Sequence, residues 1–218
     1  MNKNLLIIVL ITVFMWNCSH SPKVSEPEPM EPLEKPFLIS DTLRYTDMEK
    51  FQVISGDWKT SEKGVESRKK TGNKFIDGHG LLILREAEWS EGVFGVTTYW
   101  KERLGNNHYM GIVFNYKDPY NFYLVRICDF EKYQDMVELY QMVDGQRFMH
   151  LAEKHLSLNP FQPYRLELNI MGERLLVKMD NKKMFEYELP KPVEGKVGLM
   201  SKNSGTVFSD FYLKFLKE

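Results

Sequence analysis

The stretch that most constrains the fold of this chain runs from Asn107 to Val143, NHYMGIVFNYKDPYNFYLVRICDFEKYQDMVELYQMV. Its first part has apolar side chains at every second position, which is typical of a β-strand with one buried face. Those side chains are Met110, Ile112, Phe114 and Tyr116. Lys117–Tyr120 then contains an Asp and a Pro in an order that favours a tight turn. The pattern therefore predicts that a second strand, Asn121–Cys128, returns antiparallel to the first.

The alternation also specifies how these strands pair. A slip of one residue would send every apolar side chain of a strand to the opposite face, so only one parity buries all of them together. A third strand, Met136–Val143, follows a loop around Glu131–Gln134 and obeys the same rule. The predicted pairs are Met110 with Ile127, Ile112 with Val125, Ile127 with Val137 and Val125 with Leu139.

The opposite face of these strands is predicted to carry polar and aromatic side chains. The same registers set Arg126 directly across from Glu138. A strand that follows the Asp144-Gly145 turn, Arg147–Leu156, brings His150 beside Tyr140. On the other flank, a strand over Val93–Trp100 leaves Tyr99 on this mixed face. The candidate ligand face is Tyr99, Asn115, Arg126, Glu138, Tyr140 and His150.

Short strands separated by turn residues account for the rest of the domain. They include Phe51–Thr60, Gly80–Arg85, Pro163–Met171, Lys183–Glu188 and Thr206–Leu216. Strands at intervals of about ten residues, with no long helical pattern between them, are typical of antiparallel sandwiches and barrels. The sequence therefore predicts an all-β, two-sheet antiparallel sandwich over residues 37–218.

The N-terminus carries a different pattern. Lys3 precedes an apolar run, Leu5–Trp16, which is too short to span a bilayer comfortably and fits the apolar part of a signal peptide. Cys18 comes directly after it, and this arrangement resembles bacterial lipoprotein signals, in which the Cys becomes the lipidated first residue. Two alternatives stay open, namely an ordinary signal peptide with an incidental Cys and an uncleaved anchor.

A tether is predicted between that Cys and the sandwich. Ser19–Pro36 holds five of the ten prolines of the chain and four glutamates, a composition that cannot bury a core. The predicted divisions are a signal peptide over 1–17, a lipidated Cys with its tether over 18–36, and the sandwich over 37–218. Because Ser19 replaces the Asp that retains some lipoproteins at the inner membrane, we expect a lipid anchor at the outer membrane or cell surface.

Charge and cysteine content exclude some functions. The 29 basic and 30 acidic residues give a net charge of −1, which offers no electrostatic basis for nucleic-acid binding. The second cysteine, Cys128, is expected to be a small buried apolar residue. No Cys or His spacing predicts a metal site or a catalytic pair.

Four motifs together resemble a known fold family. They are GDW at Gly56–Trp58, GIVFNYKDPYNFYLVRI at Gly111–Ile127, YRLELNIMGERLLVKMDNKKMFEYE at Tyr164–Glu188 and GKVGLMSKNSGTVFSDFYLKF at Gly195–Phe215. Their order resembles the concanavalin A-like jelly rolls, in particular laminin G-like modules and bacterial domains related to 3-keto-disaccharide hydrolases. The resemblance implies a jelly roll over residues 37–218, and many such domains bind sugars on a concave sheet.

The resemblance transfers no catalytic residue. The Glu-x-Asp-x-x-Glu order of the glycoside hydrolases in this family is missing, and no run matches a keto-disaccharide hydrolase motif. Some relatives hold calcium near the first and last strands, where Asp57 and Asp210 stand here. We therefore expect no cofactor, with calcium at these two residues as the one alternative.

The predicted function is non-catalytic binding of a glycan or a protein partner at the cell envelope. Rings that stack on a sugar and charged groups that bond its hydroxyls are the two requirements of a glycan site, and the candidate face supplies both. A glycosidase of the keto-disaccharide hydrolase type and a purely structural envelope lipoprotein remain as alternatives. Arg126 beside Glu138 disfavours Glu138 as a general acid, because a neighbouring cation stabilises the carboxylate.

Overall fold

Among the described residues, segments with alternating apolar side chains form strands, and strands make up nearly all of the elements. The computed structural model describes residues 39–45, 48–68, 79–103, 108–129, 135–159 and 161–216. The strands are β1 (Ile39–Tyr45), β2 (Phe51–Ser55), β3 (Trp58–Ser61), β4 (Gly64–Ser67), β5 (His79–Trp89), β6 (Gly92–Arg103), β7 (His108–Asp118), β8 (Asn121–Asp129), β9 (Met136–Val143), β10 (Arg147–His155), β11 (Tyr164–Met171), β12 (Arg174–Met179), β13 (Lys182–Glu188), β14 (Gly195–Lys202) and β15 (Ser204–Leu216). Within the described ranges the helical structure is a 3-10 turn, Met48–Lys50.

The predicted signal peptide, Cys18 and the tether over 18–36 lie outside the described residues. The strands belong to one unit, Phe37–Glu218. Of the residues that can be described, none forms a helix long and apolar enough to cross a membrane.

The strands form two antiparallel sheets. Sheet I has the order β13-β12-β11-β6-β15-β4-β3, and β1 also pairs with β15. Sheet II has the order β10-β9-β8-β7-β14-β5-β2. The prediction of an all-β, two-sheet sandwich is therefore confirmed.

The predicted registers within sheet II are also confirmed. Met110 pairs with Ile127 and Ile112 with Val125, while Val125 pairs in turn with Leu139. All of these side chains are fully buried between the sheets. From sheet I, the rings of Phe94 and Phe211 meet edge to face with centroids 4.5 Å apart, a favoured geometry for packed aromatic pairs.

The prediction that Val93–Trp100 flanks the three central strands is wrong. This segment belongs to β6, which pairs with β11 and β15 in sheet I. On the side of β7 away from β8, the neighbouring strand is β14, with Leu199 opposite Ile112. β6 and β14 both send alternate apolar side chains into the core between the sheets, so the pattern alone does not distinguish them. Tyr99 consequently lies in sheet I, away from the other candidate residues.

Candidate functional site

Paired residues in an antiparallel sheet point to the same side, so the registers of sheet II define its outer face, the one turned away from the core. Arg126 pairs with Glu138, and Tyr140 pairs with His150. Four of the six predicted residues therefore share this outer face. Tyr99 is absent from it because β6 lies in sheet I, and the prediction for Tyr99 is wrong.

Arg126 is the centre of a layered contact on the outer face. Its Nη2 and Nε donate to one carboxylate oxygen of Glu138 at 2.9 and 3.3 Å. The guanidinium lies 4.4 Å from the ring centroid of Tyr109 and 4.2 Å from that of Tyr140. Rings on both sides of a guanidinium are a favourable cation–π arrangement. We call Tyr109, Arg126, Glu138 and Tyr140 the Arg126 stack.

Burial limits what the Arg126 stack offers to a ligand. Arg126 is 7% exposed and Glu138 is 2% exposed, so the ion pair is satisfied from within the protein. Tyr140 is half-buried, its ring stacks on Phe148 at 4.3 Å, and burial raises its pKa to about 12. A ligand on this part of the face would meet Tyr140, Phe148 and His150. Ligand binding by the predicted residues stays a prediction.

A bulge in β10 brings two further side chains to this face. The register shifts between His150 and Ala152, so that Glu153 pairs with Glu138 and His155 with Met136. The carboxylate of Glu153 lies 3.1 Å from Nε2 of both His150 and His155. Sequence reasoning missed Glu153 and His155 because an unbroken alternation from His150 points both away. No glycine or asparagine marks the position of the bulge.

A second bulge, near the end of β7, changes the face to which the following side chains point. Asn115 has a positive φ of 48°, a conformation that Asn adopts more readily than most residues. Its Oδ1 accepts a hydrogen bond from the backbone N–H of Glu194 at 3.3 Å. Asn115 lies four positions from Gly111, the residue that pairs with Arg126, so it stands at the end of the sheet and not beside the Arg126 stack.

Tyr116 changes face as a result. The alternation predicted that Tyr116 belongs to the inter-sheet core, and this is wrong, because the bulge adds one residue before it. Its ring instead packs on the outer face and stacks on Phe122 with centroids 6.4 Å apart. Burial raises the pKa of Tyr116 to about 12. Like any tyrosine hydroxyl at neutral pH, it is protonated and can donate a hydrogen bond.

A cavity adjoins Tyr116, and we call it the turn groove. It has a volume of about 620 Å³, within the range of ligand pockets, about 300–1,000 Å³. Lys196 pairs with Glu88 on one side and with Tyr116 on the other, which gives a polar row across three strands. The lining residues are Gln52, Ile54, Glu88, Tyr116, Lys117, Asp118, Pro119, Glu194, Gly195 and Lys196.

Two of these polar groups are already engaged. Asp118 accepts hydrogen bonds from the backbone N–H of Tyr120 at 2.7 Å and from Nδ2 of Asn121 at 3.1 Å, which holds the β7–β8 turn. Nζ of Lys196 donates to the carbonyl oxygen of Arg85 at 3.0 Å. The carboxylates of Glu88 and Glu194 are exposed and are available to a ligand.

A second cavity, the amide cavity, lies on the other side of the same turn. Its volume is about 270 Å³. It shares Lys117 and Asp118 with the turn groove and adds three side-chain amides and a second lysine. The lining residues are Asn115, Lys117, Asp118, Asn121, Phe122, Tyr123, Gln141, Met142, Val143 and Lys191.

The structure separates the two acids considered for calcium. Asp57 stands next to Trp58, which pairs with the Ser67 end of β4, and forms an ion pair with Arg68 at 3.3 Å. Asp210 follows Phe208, which pairs with Val65 near the other end of β4. These two acids therefore cannot share one ion. Over the described ranges, no group of three Asp, Glu, His or Cys residues is placed to hold a metal.

Cys128 has the environment expected of a structural residue. Its side chain is fully buried on the outer face. Burial raises the pKa of the Cys128 thiol well above its usual value, and a buried, protonated thiol is a poor nucleophile.

Comparisons by sequence identify no relatives. No protein-family model matches this chain, and no curated protein sequence matches it. Likeness is found among solved structures, and the three described next are 12–19% identical to this chain.

Three similar structures show the fold. A carbohydrate-binding module, CBM66 from Bacillus subtilis, is 19% identical, covers 81% of this chain and 98% of its own, and has a TM-score of 0.64. A Bacillus subtilis protein of unknown function with a galectin-like fold is 12% identical, covers 81% and 95%, and scores 0.58. The GH43 protein BlXynB from Bacillus licheniformis is 14% identical and scores 0.61, with 82% of this chain matching 39% of that protein. At these identities the likeness shows a concanavalin-like β-sandwich and no more.

Proposed function

We propose that this protein binds a glycan, without catalysis, in the turn groove on the outer face of sheet II. The observation that carries the proposal is the row of Glu88, Lys196 and Tyr116 along a cavity of about 620 Å³. A half-exposed aromatic ring can stack on the apolar face of a pyranose. Carboxylate, amide and hydroxyl groups around it can bond the sugar hydroxyls and select their orientation.

The structural neighbours support a glycan as the ligand class. One is itself described as a carbohydrate-binding module, and it matches this chain over 98% of its own length. Because fold alone does not determine function, the groove and not the likeness carries the argument. The Arg126 stack, whose charged members Arg126 and Glu138 are buried, then serves to hold the strands of sheet II together.

Hydrolysis is the second candidate, and one observation favours it. Glu88 and Glu194 line the same groove, and glycosidases use two carboxylates about 5–10 Å apart. The non-catalytic proposal requires that bound glycan is recovered intact. The two functions are therefore separated by product analysis in the same binding experiment.

Binding is tested with the full-length protein by affinity electrophoresis in gels that contain dextran, xylan, mannan or polygalacturonate. We expect at least one polymer to retard the wild type, and Tyr116→Ala to lose about tenfold in affinity, which is about 1.4 kcal/mol. Tyr99→Ala is the matched control, because Tyr99 is also a half-buried tyrosine but lies in sheet I.

The outcomes discriminate between the candidates. Loss of retardation in Tyr116→Ala but not in Tyr99→Ala supports the turn groove. Equal binding by both variants contradicts the groove as the site. New reducing ends released by the wild type but not by Glu88→Gln or Glu194→Gln establish the hydrolase. Absence of binding from a folded wild type favours a protein partner or a structural role.

We also propose that the chain is anchored by lipid at Cys18, at the outer membrane or cell surface. The support is the position of Cys18 directly after the apolar run Leu5–Trp16, followed by the Pro- and Glu-rich segment Ser19–Pro36. An anchor of this kind would display the binding domain at the end of a spacer.

A further inference from the structure

The charges around the β7–β8 turn are unevenly distributed. Lys117 and Lys191 are exposed, and both line the amide cavity. Within the described part of the chain, neither ammonium group forms an ion pair. The one acid of this cavity, Asp118, already accepts hydrogen bonds from Tyr120 and Asn121. The amide cavity therefore has two available cations and one carboxylate that is engaged in holding its own turn.

The amides of the cavity add neutral donors. Asn115 is 8% exposed, and its Oδ1 already accepts from the N–H of Glu194. Asn115 lines the cavity, and among the described hydrogen bonds its Nδ2 has no acceptor, so this amide can donate to a ligand. Gln141 lines the opposite wall, one strand beyond β8. Amide N–H groups beside ammonium groups are the donors that recognise a carboxylate or a sulfate oxygen.

Lys117 connects the two cavities, because it lines both the amide cavity and the turn groove. A sugar stacked on Tyr116 in the turn groove thus has a cation at the border of its site. The next unit of the same chain would cross the β7–β8 turn and enter the cavity that also holds Lys191.

We infer that the ligand of this protein is an anionic glycan, whose carboxylate or sulfate group is bound in the amide cavity by Lys117, Lys191 and Asn115. This inference rests on the proposed glycan-binding function and narrows it to a class of substrate. A neutral polymer would leave both lysines without a partner. An acidic polymer supplies a carboxylate or sulfate to these two lysines, which outnumber the single carboxylate of the cavity, Asp118.

The physical consequence is a dependence on salt. Both ammonium groups are exposed, so their attraction to an anion is screened as ionic strength rises. The contacts of Tyr116 with a sugar ring are screened much less. Raising NaCl from about 20 to about 300 mM shortens the Debye length from roughly 20 Å to roughly 6 Å. This change should weaken binding to an acidic polymer and leave binding to its neutral form nearly unchanged.

The experiment compares polymers that differ only in charge. Full-length protein is titrated with polygalacturonate and with the same polymer after methyl esterification, which neutralises its carboxylates. Chondroitin sulfate and unsulfated chondroitin distinguish sulfate from carboxylate recognition. The variant is Lys117→Met with Lys191→Met, and the matched control is Lys154→Met with Lys182→Met, two exposed lysines on the edge strands β10 and β13.

We expect the lysine variant to lose about tenfold in affinity for the acidic polymer, which is about 1.4 kcal/mol, while the control variant keeps wild-type affinity. Preference for the esterified polymer, or an equal loss in the control variant, overturns the inference. Binding of neutral polymers that depends on Tyr116 but not on the lysines overturns it and leaves the proposed function intact. Failure of a folded protein to bind any polymer removes both.

Discussion

Arg126 lies between the rings of Tyr109 and Tyr140, at 4.4 and 4.2 Å, and donates two hydrogen bonds to a single oxygen of Glu138. These four side chains come from three neighbouring strands, β7, β8 and β9. The arrangement joins the strands on the side opposite the core. It is also the part of the predicted ligand face that the structure closes most completely to solvent.

Replacing Arg126 should therefore affect stability more than binding. Arg126→Met leaves the carboxylate of Glu138 buried without its partner, and removing one member of a buried ion pair costs about 3–5 kcal/mol. We expect a fall of this size in the free energy of unfolding, measured by urea denaturation. Arg126→Met combined with Glu138→Leu should recover most of the loss. A single variant within 1 kcal/mol of wild type, roughly the value of an exposed pair, would contradict this account.

Gly111 is required by close contact between β7 and β8. A Cβ at this position would stand 2.2 Å from the carbonyl oxygen of Val125 and 2.7 Å from the Cα of Arg126. Both obstacles are backbone atoms that the sheet holds in place. Gly111→Ala should lower the free energy of unfolding by about 1–3 kcal/mol, the usual cost of overpacking.

Gly205→Ala is the control for this substitution. Its Cβ would meet the Cβ of Glu102 at 3.6 Å, an ordinary contact. Thermal and urea unfolding of both variants should separate them clearly. If Gly111→Ala were as stable as Gly205→Ala, β7 and β8 could move apart at little cost. Their hydrogen-bonded pairing opposes such a movement.

His79 should make the fold sensitive to acid. Burial, followed by the positive charges of Lys202 and Arg126, lowers the pKa of His79 from 6.5 to about 3. In the unfolded chain His79 takes up a proton as pH falls below 6.5, whereas in the folded chain it stays neutral down to about pH 3. Acid therefore favours the unfolded state. The stability that the neutral, buried His79 permits is complete above pH 6.5 and is lost as pH falls toward 3. His79→Phe lacks this titratable group. We therefore expect its free energy of unfolding, measured by urea denaturation, to rise relative to that of the wild type as the pH is lowered from 7.5 to 4.5.

Gly205→Ala provides the comparison, because it changes no titratable group and its added Cβ stands 3.6 Å from the Cβ of Glu102, an ordinary contact. Its stability relative to wild type should change little over the same pH interval. If His79→Phe and Gly205→Ala show the same dependence on pH, burial of His79 is not the cause of the acid sensitivity.

Cys18 can be tested independently of any ligand. Cells expressing the full-length chain are fed an alkyne-labelled fatty acid, and the label is detected after the protein is purified in detergent. We expect label in the wild type and none in Cys18→Ser, because a lipoprotein signal modifies that Cys alone. Cys128→Ser is the control and should retain the label, since Cys128 is fully buried in the sandwich. Label that persists in Cys18→Ser would rule out the anchor.

The amino-acid sequence by itself determined which residues of β7, β8 and β9 form strands, which of their faces is buried, and how they pair. That information is local, because side chains alternate with a period of two and only one parity buries Met110, Ile112 and Val125 together. The pairing of Arg126 with Glu138 follows from the same parity and was predicted correctly.

The tertiary structure alone decided which strands lie next to each other and where the alternation breaks. β6 and β14 carry equivalent patterns, and only packing of the complete core places β14 beside β7. The bulges at Asn115 and after His150 depend on the fit of whole strands, and they move Tyr116 and Glu153 onto the outer face. The turn groove, the amide cavity and therefore the proposed site exist because of those long-range choices.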